Sequence, residues 1–379
     1  MNNPVYRALF FQIVIIGGII AFGAYIIGNT LDNLERQGIA SGFDFLNTAA
    51  GFAIIQTLVD YSESSSHGMV FVVGLLNTLV VAFFSVVLAT FLGFIIGVAR
   101  LSDNWVVSKM ATVYIEIIRN IPLLLQIFFW YFGVVRNLPG PKESMDVFGS
   151  FFLNNRGLYS PSPVPESGFS LVIVAFVIGI VATVVVSRWA HKRQDQTGQQ
   201  FPMFFTALGL IFGLPLLALL LSGFPITWDY PALKGFNYVG GMVIIPEFAC
   251  LALALIIYTA AFIAEIVRAG ITSVSKGQSE ASHALGLRNG PTLRLVILPQ
   301  ALRVIIPPLT SQYLNLFKNS SLATAIAYPD MVSVFAGTSL NQTGQAIEVL
   351  AITMAVYLTI SLIISAFMNW YNQKMALIE

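Results

Sequence analysis

Charge is what this chain has least of. Only 10% of its 379 residues are charged, against about 25% in a typical soluble domain. With 56% hydrophobic residues and a mean hydropathy of +0.80, it has too little polar surface to coat a water-soluble body of this size, so an integral membrane protein is expected. The net charge of +1 excludes a nucleic-acid partner, which needs a basic face. A single cysteine, Cys250, excludes an internal disulfide, and its apolar surroundings fit a small buried side chain. His67, His191 and His283 stand too far apart for metal-ligand spacing. No lysine follows a glycine, so the phosphate loop of an ATPase is absent. The apolar runs carry no His/Glu metal motif, nucleophile elbow or paired carboxylates, which argues against an intramembrane enzyme.

Long apolar runs are what remain. A spanning helix needs about 20 apolar residues, and eight segments qualify: 8–28, 70–99, 106–135, 169–187, 202–222, 246–268, 300–318 and 345–370. The runs are continuous and do not alternate, so helices are the spanning form. The expected fold class is all-α, a polytopic membrane protein of about eight spans. The first run lacks a small-x-small cleavage site and is read as a retained span. Thirty Phe and 13 Tyr suit a lipid-facing surface with interfacial aromatics.

Lys and Arg set the orientation. With the N-terminus inside, Arg7, Arg100, Lys109, Arg188, Lys192, Arg193, Arg268, Lys276, Arg288, Arg294, Arg303 and Lys374 share the inner side, and only Arg36, Arg136, Lys142, Arg156 and Lys234 fall outside. The positive-inside rule then places both termini in the cytoplasm. Outside, Asp32, Glu35, Asp44 and Asp60 mark a loop over 29–68, in which short helices are expected at 43–46 and 54–58 and a turn at Ser64–Ser66. The stretch 137–168, rich in Pro, Gly and Ser, reads as an irregular loop. Inside, Arg188, His191, Lys192 and Arg193 form a basic cluster suited to lipid headgroups.

One polar segment stands between two apolar ones at 270–299. It holds Glu280, Ala281 and Ser282, then Leu285, Gly286 and Leu287, and closes on Val296, Ile297, Leu298 and Pro299. A short helix is expected from Ser279 to Leu287, with Glu280 near its start and Gly286 ending it. Asn289-Gly290-Pro291 should then break the chain. Ionisable residues inside a bilayer are costly and need a partner or a water-lined cavity. Glu116 and Arg119 are spaced to pair on one helical face, and Glu265 and Arg268 repeat that spacing. These are structural ion pairs or parts of a pathway, where an Arg fork would suit a carboxylate. Pro122 and Pro307-Pro308 should interrupt their spans, as packing kinks or as hinges at a moving interface. Lys318, Asn319 and Ser320 end the seventh span, as a capped end or as an outer mouth.

The 280–299 spacing resembles the EAA signature of bacterial ABC-importer permeases, with Ser282 in place of the second alanine and Val296 in place of isoleucine. Tyr114–Gln126, including Glu116, Arg119, Asn120 and Gln126, is similar to an element of the polar amino-acid permeases, as are Tyr258–Ile271 and Lys318–Leu322. The length resembles one permease subunit of the general L-amino-acid importers. The resemblance implies a type I permease core at 70–135 and 246–379, an N-terminal span with an outer loop at 1–69, and an insertion at 136–245. It implies ATPase coupling through the 280–299 residues, and a translocation-pathway or substrate role for Glu116, Arg119, Asn120, Gln126, Glu265, Lys318, Asn319 and Ser320. No cofactor is expected in this chain: ATP and Mg belong to a partner ATPase. The implied partners are a second, different permease subunit, two ATP-binding subunits and a periplasmic substrate-binding protein, in the bacterial inner membrane, with an L-amino acid as cargo. An ion-coupled secondary transporter is the rival reading, and it predicts internal repeats with matching mid-bilayer charges that this chain does not display.

Overall fold

The computed structural model describes residues 4–37 and 41–375. The predicted cytoplasmic ends at 1–3 and 376–379, and 38–40 of the outer loop, lie outside the described residues, as does the side chain of Glu35. The chain forms two compact units: Met1–Val134 with Glu247–Glu379, and Val135–Pro246.

The first unit opens with α1 (Pro4–Gln37), whose apolar stretch Arg7–Thr30 has none of its length buried within the chain. A short 3₁₀ turn at Asp44–Asn47 follows as expected, but 54–58 is not helical. Ser66 caps α2 (His67–Ala99), its Oγ accepting from the Met69 amide. Glycine lets α2 approach its neighbours: a Cβ on Gly93 would lie 2.7 Å from Cβ of Ile263, and one on Gly97 2.8 Å from Cβ of Val267. Both contacts are with the helix Pro246–Thr272, so bare backbone on one helix receives β-branched side chains from another.

α3 (Trp105–Asn120) starts on Asn104, whose Oδ1 accepts from the Val106 and Val107 amides. The sequence predicts one span over 106–135. Instead the chain turns by 103° at Ile121-Pro122 into α4 (Leu123–Phe128), which continues through a π turn at Phe129–Val134. Pro122 has no amide to continue the ladder, and Ile121 is extended. Gln126 then closes the wound: its Nε2 donates to the carbonyls of Ile118 and Ile121, each at 3.0 Å. Among the described residues, seven helices are therefore long and apolar enough to cross a membrane, and the bent α3–α4 pair makes up to eight.

The second unit corrects the expectation of an irregular loop at 137–168. It contains eight short strands and two spanning helices. The strands β1 (Met145–Val147), β2 (Phe151–Asn154), β3 (Gly157–Ser160) and β4 (Ser162–Pro165) precede α5 (Phe169–Thr197). α6 (Met203–Leu208) and α7 (Leu214–Leu221) form one run with a π turn between them. The remaining strands are β5 (Ile226–Asp229), β6 (Ala232–Lys234), β7 (Asn237–Val239) and β8 (Met242–Ile244). The order β1-β2-β3-β8 is antiparallel throughout, with β4-β5 and β6-β7 as separate ribbons. Phe152 stacks on Tyr238 at 4.6 Å, and Tyr159 bonds Asn237 at 2.9 Å. Gly179 on α5 admits the backbone of Leu210.

The first unit resumes with α8 (Pro246–Thr272), 61% of whose apolar stretch is buried. After α9 (Lys276–Ala284) and α10 (Asn289–Thr292) the helix runs on through a π turn at Leu293–Ile297 into α11 (Leu298–Asn319). The expected break at Asn289-Gly290-Pro291 is thus a helix start, and Pro307-Pro308 lie inside a continuous helix on its exposed side. A 3₁₀ segment (Ser320–Ile326), a buried π-helical segment (Met331–Ser339), α12 (Leu340–Thr343) and α13 (Ala346–Met375) complete the unit.

Candidate functional site

The polar segment forms a short lever. α9 begins three residues earlier than the sequence predicts, after Ser275, and ends at Ala284 rather than Leu287. Glu280 is therefore its fifth residue and does not sit at the dipole end. Gly286 does end the helix: at φ +79° it takes the left-handed conformation, and the Leu287 amide reaches back to the Ser282 carbonyl at 3.1 Å. One face is keyed inward. Ser282 is buried, and its Oγ meets Thr292 Oγ1 of α10 at 3.2 Å. The other face is bare: Glu280, Ala281 and Leu285 are exposed, Leu285 by 83%. Leu298 and Pro299 are helical, with Pro299 directly after the π turn at Leu293–Ile297. Pro299 borders a groove of about 670 Å³ with Ser275, Gln278, Gln300 and Arg303.

Behind the lever lies a charge cluster. Arg268 Nη2 lies 2.6 Å and Nε 3.1 Å from Glu265 Oε1, so the i, i+3 pair predicted on α8 forms. Arg100, at the end of α2, donates to the other Glu265 oxygen and stands 3.8 Å from Glu116 on α3. α2, α3 and α8 are thereby joined, about two turns before α8 ends. The predicted Glu116–Arg119 pair is replaced by this arrangement: Arg119 instead lies over the Phe262 ring at 5.1 Å.

Phe262 is a wall of a small polar pocket of about 270 Å³, lined also by Tyr258, Thr259, Gln312, Asn315 and Asn319. Of the residues predicted for a pathway, the structure brings Asn319 and, through Phe262, Arg119 to this pocket. Others do different work. Asn120 Nδ2 donates to the Glu116 carbonyl at 2.6 Å and Gln126 ties the α3–α4 break. Ser320 is fully buried on its own turn, and Lys318 is exposed. Sequence reasoning missed Gln312 and Asn315, although with Asn319 they recur at i, i+3 and i+7, a polar stripe on an apolar helix.

The fold thus combines apolar helices long enough to cross a membrane with a polar α9 and a polar pocket walled by α8 and α11. The pattern describing the family "Binding-protein-dependent transport system inner membrane component" matches residues 89–377, and the chain belongs to that family. It is 58% identical over 377 residues to YhdX of Escherichia coli (strain K12), a protein provisionally named an amino-acid ABC transporter permease, covering 100% of this chain and 96% of that one. It is 54% identical over 379 residues to the general L-amino acid transport system permease protein AapQ of Rhizobium johnstonii, covering 100% and 94%. A crystal structure of an amino acid ABC transporter with histidines aligns with a TM-score of 0.48 at 21% identity, over 81% of this chain and 95% of that one.

Proposed function

We propose that this chain is the permease subunit of an ATP-driven importer of L-amino acids. Its similarity to AapQ along the whole chain carries the reading. Its core is assigned to 70–135 and 246–379, with 136–245 as an insertion, in a bacterial inner membrane with both termini in the cytoplasm. A separate ATPase pair binds ATP and Mg. A second, distinct permease subunit and a periplasmic substrate-binding protein complete the machine.

The chain's own part is mechanical. The bare face of α9, with Glu280, Ala281 and Leu285, docks in the ATPase. Ser282 keys α9 to α10, so a push on the lever enters α11 directly. Only Ser273, Val274 and Ser275 separate α9 from α8, and the Glu265 cluster ties α8 to α2 and α3. One stroke therefore moves the helices that wall the polar pocket; in this reading Asn319, which lines it, and Arg119, which packs on its Phe262 wall, meet an amino acid's polar groups and carboxylate.

The test is uptake in vesicles reconstituted with the full complex. Glu280→Lys reverses a charge on the docking face, and Gly286→Asp forces an L side chain into a left-handed turn at about 1–2 kcal/mol. Each is expected to insert normally and to lose ATP-dependent uptake about tenfold or more, equal to about 1.4 kcal/mol of coupling. Normal vanadate-sensitive uptake by both variants, or uptake driven by an ion gradient alone, overturns the reading.

A further inference from the structure

Asp330 lies between the two last spans, Asn289–Ile326 and Ala346–Lys374, and it is fully buried. Its Oδ1 accepts from the Ser333 amide at 2.8 Å and so caps the π-helical segment. Its Oδ2 is buried and has no hydrogen-bond partner. None of the ion pairs among the described residues includes it. The backbone on both sides is pinned to α2. Asn77 Nδ2 donates to the Pro329 carbonyl at 2.9 Å, and the Met331 amide donates to Thr78 Oγ1 at 3.0 Å. Tyr328 adds a bond from its hydroxyl to the Asn77 carbonyl at 3.1 Å. Asn77 is fully buried too, and its Oδ1 likewise has no partner. Asp330 and Asn77 each thus keep one buried acceptor oxygen without a protein donor, beside a segment whose backbone is tied to α2 on both sides of Asp330.

A buried carboxylate without a counter-charge is too costly to stand as a bare anion. Nearby groups do not supply the charge. α2 contributes Asn77 and Thr78, which do not titrate in this range. The titratable groups that interact with Asp330 are Tyr328 on its own segment and Tyr357 on α13, and neither carries a positive charge. We propose that Asp330 Oδ2 is the binding site for one small cation, which latches the 328–331 segment, tied to α2 through Asn77 and Thr78, in place. The shared chemistry is a single positive charge, supplied as a proton or as an alkali ion. Burial pushes the Asp330 carboxyl up to about 7, against the pull of the Ser333 and Val332 amides, consistent with a site that holds a proton in mildly acidic surroundings. This inference concerns a site remote from the lever, and it does not rest on the transport reading.

The experiment is thermal unfolding of the purified full-length chain in lipid nanodiscs across pH 4–9, in sodium chloride and in choline chloride of equal ionic strength. If the cation is a proton, Tm falls by about 2 °C per pH unit from the ordinary aspartate range to about 7 and then levels off, equally in both salts. If it is an alkali ion, Tm above pH 7 rises with sodium and not with choline. Asp330→Asn removes either response. Infrared spectra of wild type labelled with ¹³C-aspartate need no variant: under the proton arm, a protonated aspartyl band persists at pH 6. A wild type with neither salt response nor pH response and no such band, or an Asp330→Asn profile identical to wild type, overturns the proposal.

Discussion

α1 and α8 are both long apolar helices, yet 61% of the apolar stretch of α8 is buried within the chain and none of that of α1. The difference lies in which small residues each carries and what meets them. α8 presents Ala254, Ala260, Ala261 and Ala264, all fully buried, and Ile263 and Val267 fill the spaces over Gly93 and Gly97 of α2. α1 also has glycines, at 17, 18, 23 and 28, but a Cβ at any of them would meet nothing within 4 Å. Hydropathy therefore reports that a helix can leave water. Close packing is reported by small residues matched to a partner, which is how helices associate where lipid and side chain are equally apolar.

The largest effect should come from filling the matched space. Gly93→Leu puts a side chain where Ile263 already stands at 2.7 Å. Overpacking of this kind costs about 1–3 kcal/mol where neighbours can shift, and here the obstruction includes the Ala260 carbonyl at 2.8 Å. The expected outcome is about 3 kcal/mol of lost stability, read as a sharp drop in folded protein extracted from membranes. Wild-type yield and Tm would mean that α2 and α8 are not packed through this glycine face.

A smaller loss should follow from Glu265→Ala, which removes the shared partner of Arg100 and Arg268. Breaking a fully buried pair costs about 3–5 kcal/mol. Glu265 is 25% exposed at its side chain, so solvent screening reduces the expectation to about 1–2 kcal/mol. Uptake should fall further than stability, because the cluster links the lever's feed helix to α2 and α3. Full uptake with a lowered Tm would reduce the cluster to a packing element.

Much of this was legible beforehand. Seven of the eight apolar runs are helices because continuous hydrophobicity over about 20 residues has few other uses. The 121–122 corner was visible as Pro122, but its size depends on Gln126, which pays back two carbonyls from eight and five residues away. The strands of the second unit left no pattern, since three or four residues cannot show a period of two. Pro163 and Pro165 argued against a strand outright. β4 holds them because it pairs only with β5 and can keep their missing amides off the ladder. The lever was found by its spacing and misplaced by three residues, because Ser275 and Ser279 are equally plausible starts. The Glu116–Arg119 pairing failed because helical spacing offers a partner without excluding a better one, and Arg100 came from another helix.

The smallest effect belongs to α1. Gly18→Leu adds a large side chain to the spanning stretch, but open space surrounds the site, so the stability of the isolated chain, read by its Tm, should stay within about 0.5 kcal/mol of wild type. Glycine in a helix interior is unfavourable by about 0.5–1 kcal/mol relative to alanine, so the change could even stabilise slightly. A fall of several degrees in the isolated chain would show that α1 packs on its own unit and would erase the contrast with α8. An unchanged isolated chain that loses Tm only when its partner subunits are present would sharpen it, because the glycines of α1 would then be matched to a surface outside this chain, as those of α2 are matched within it.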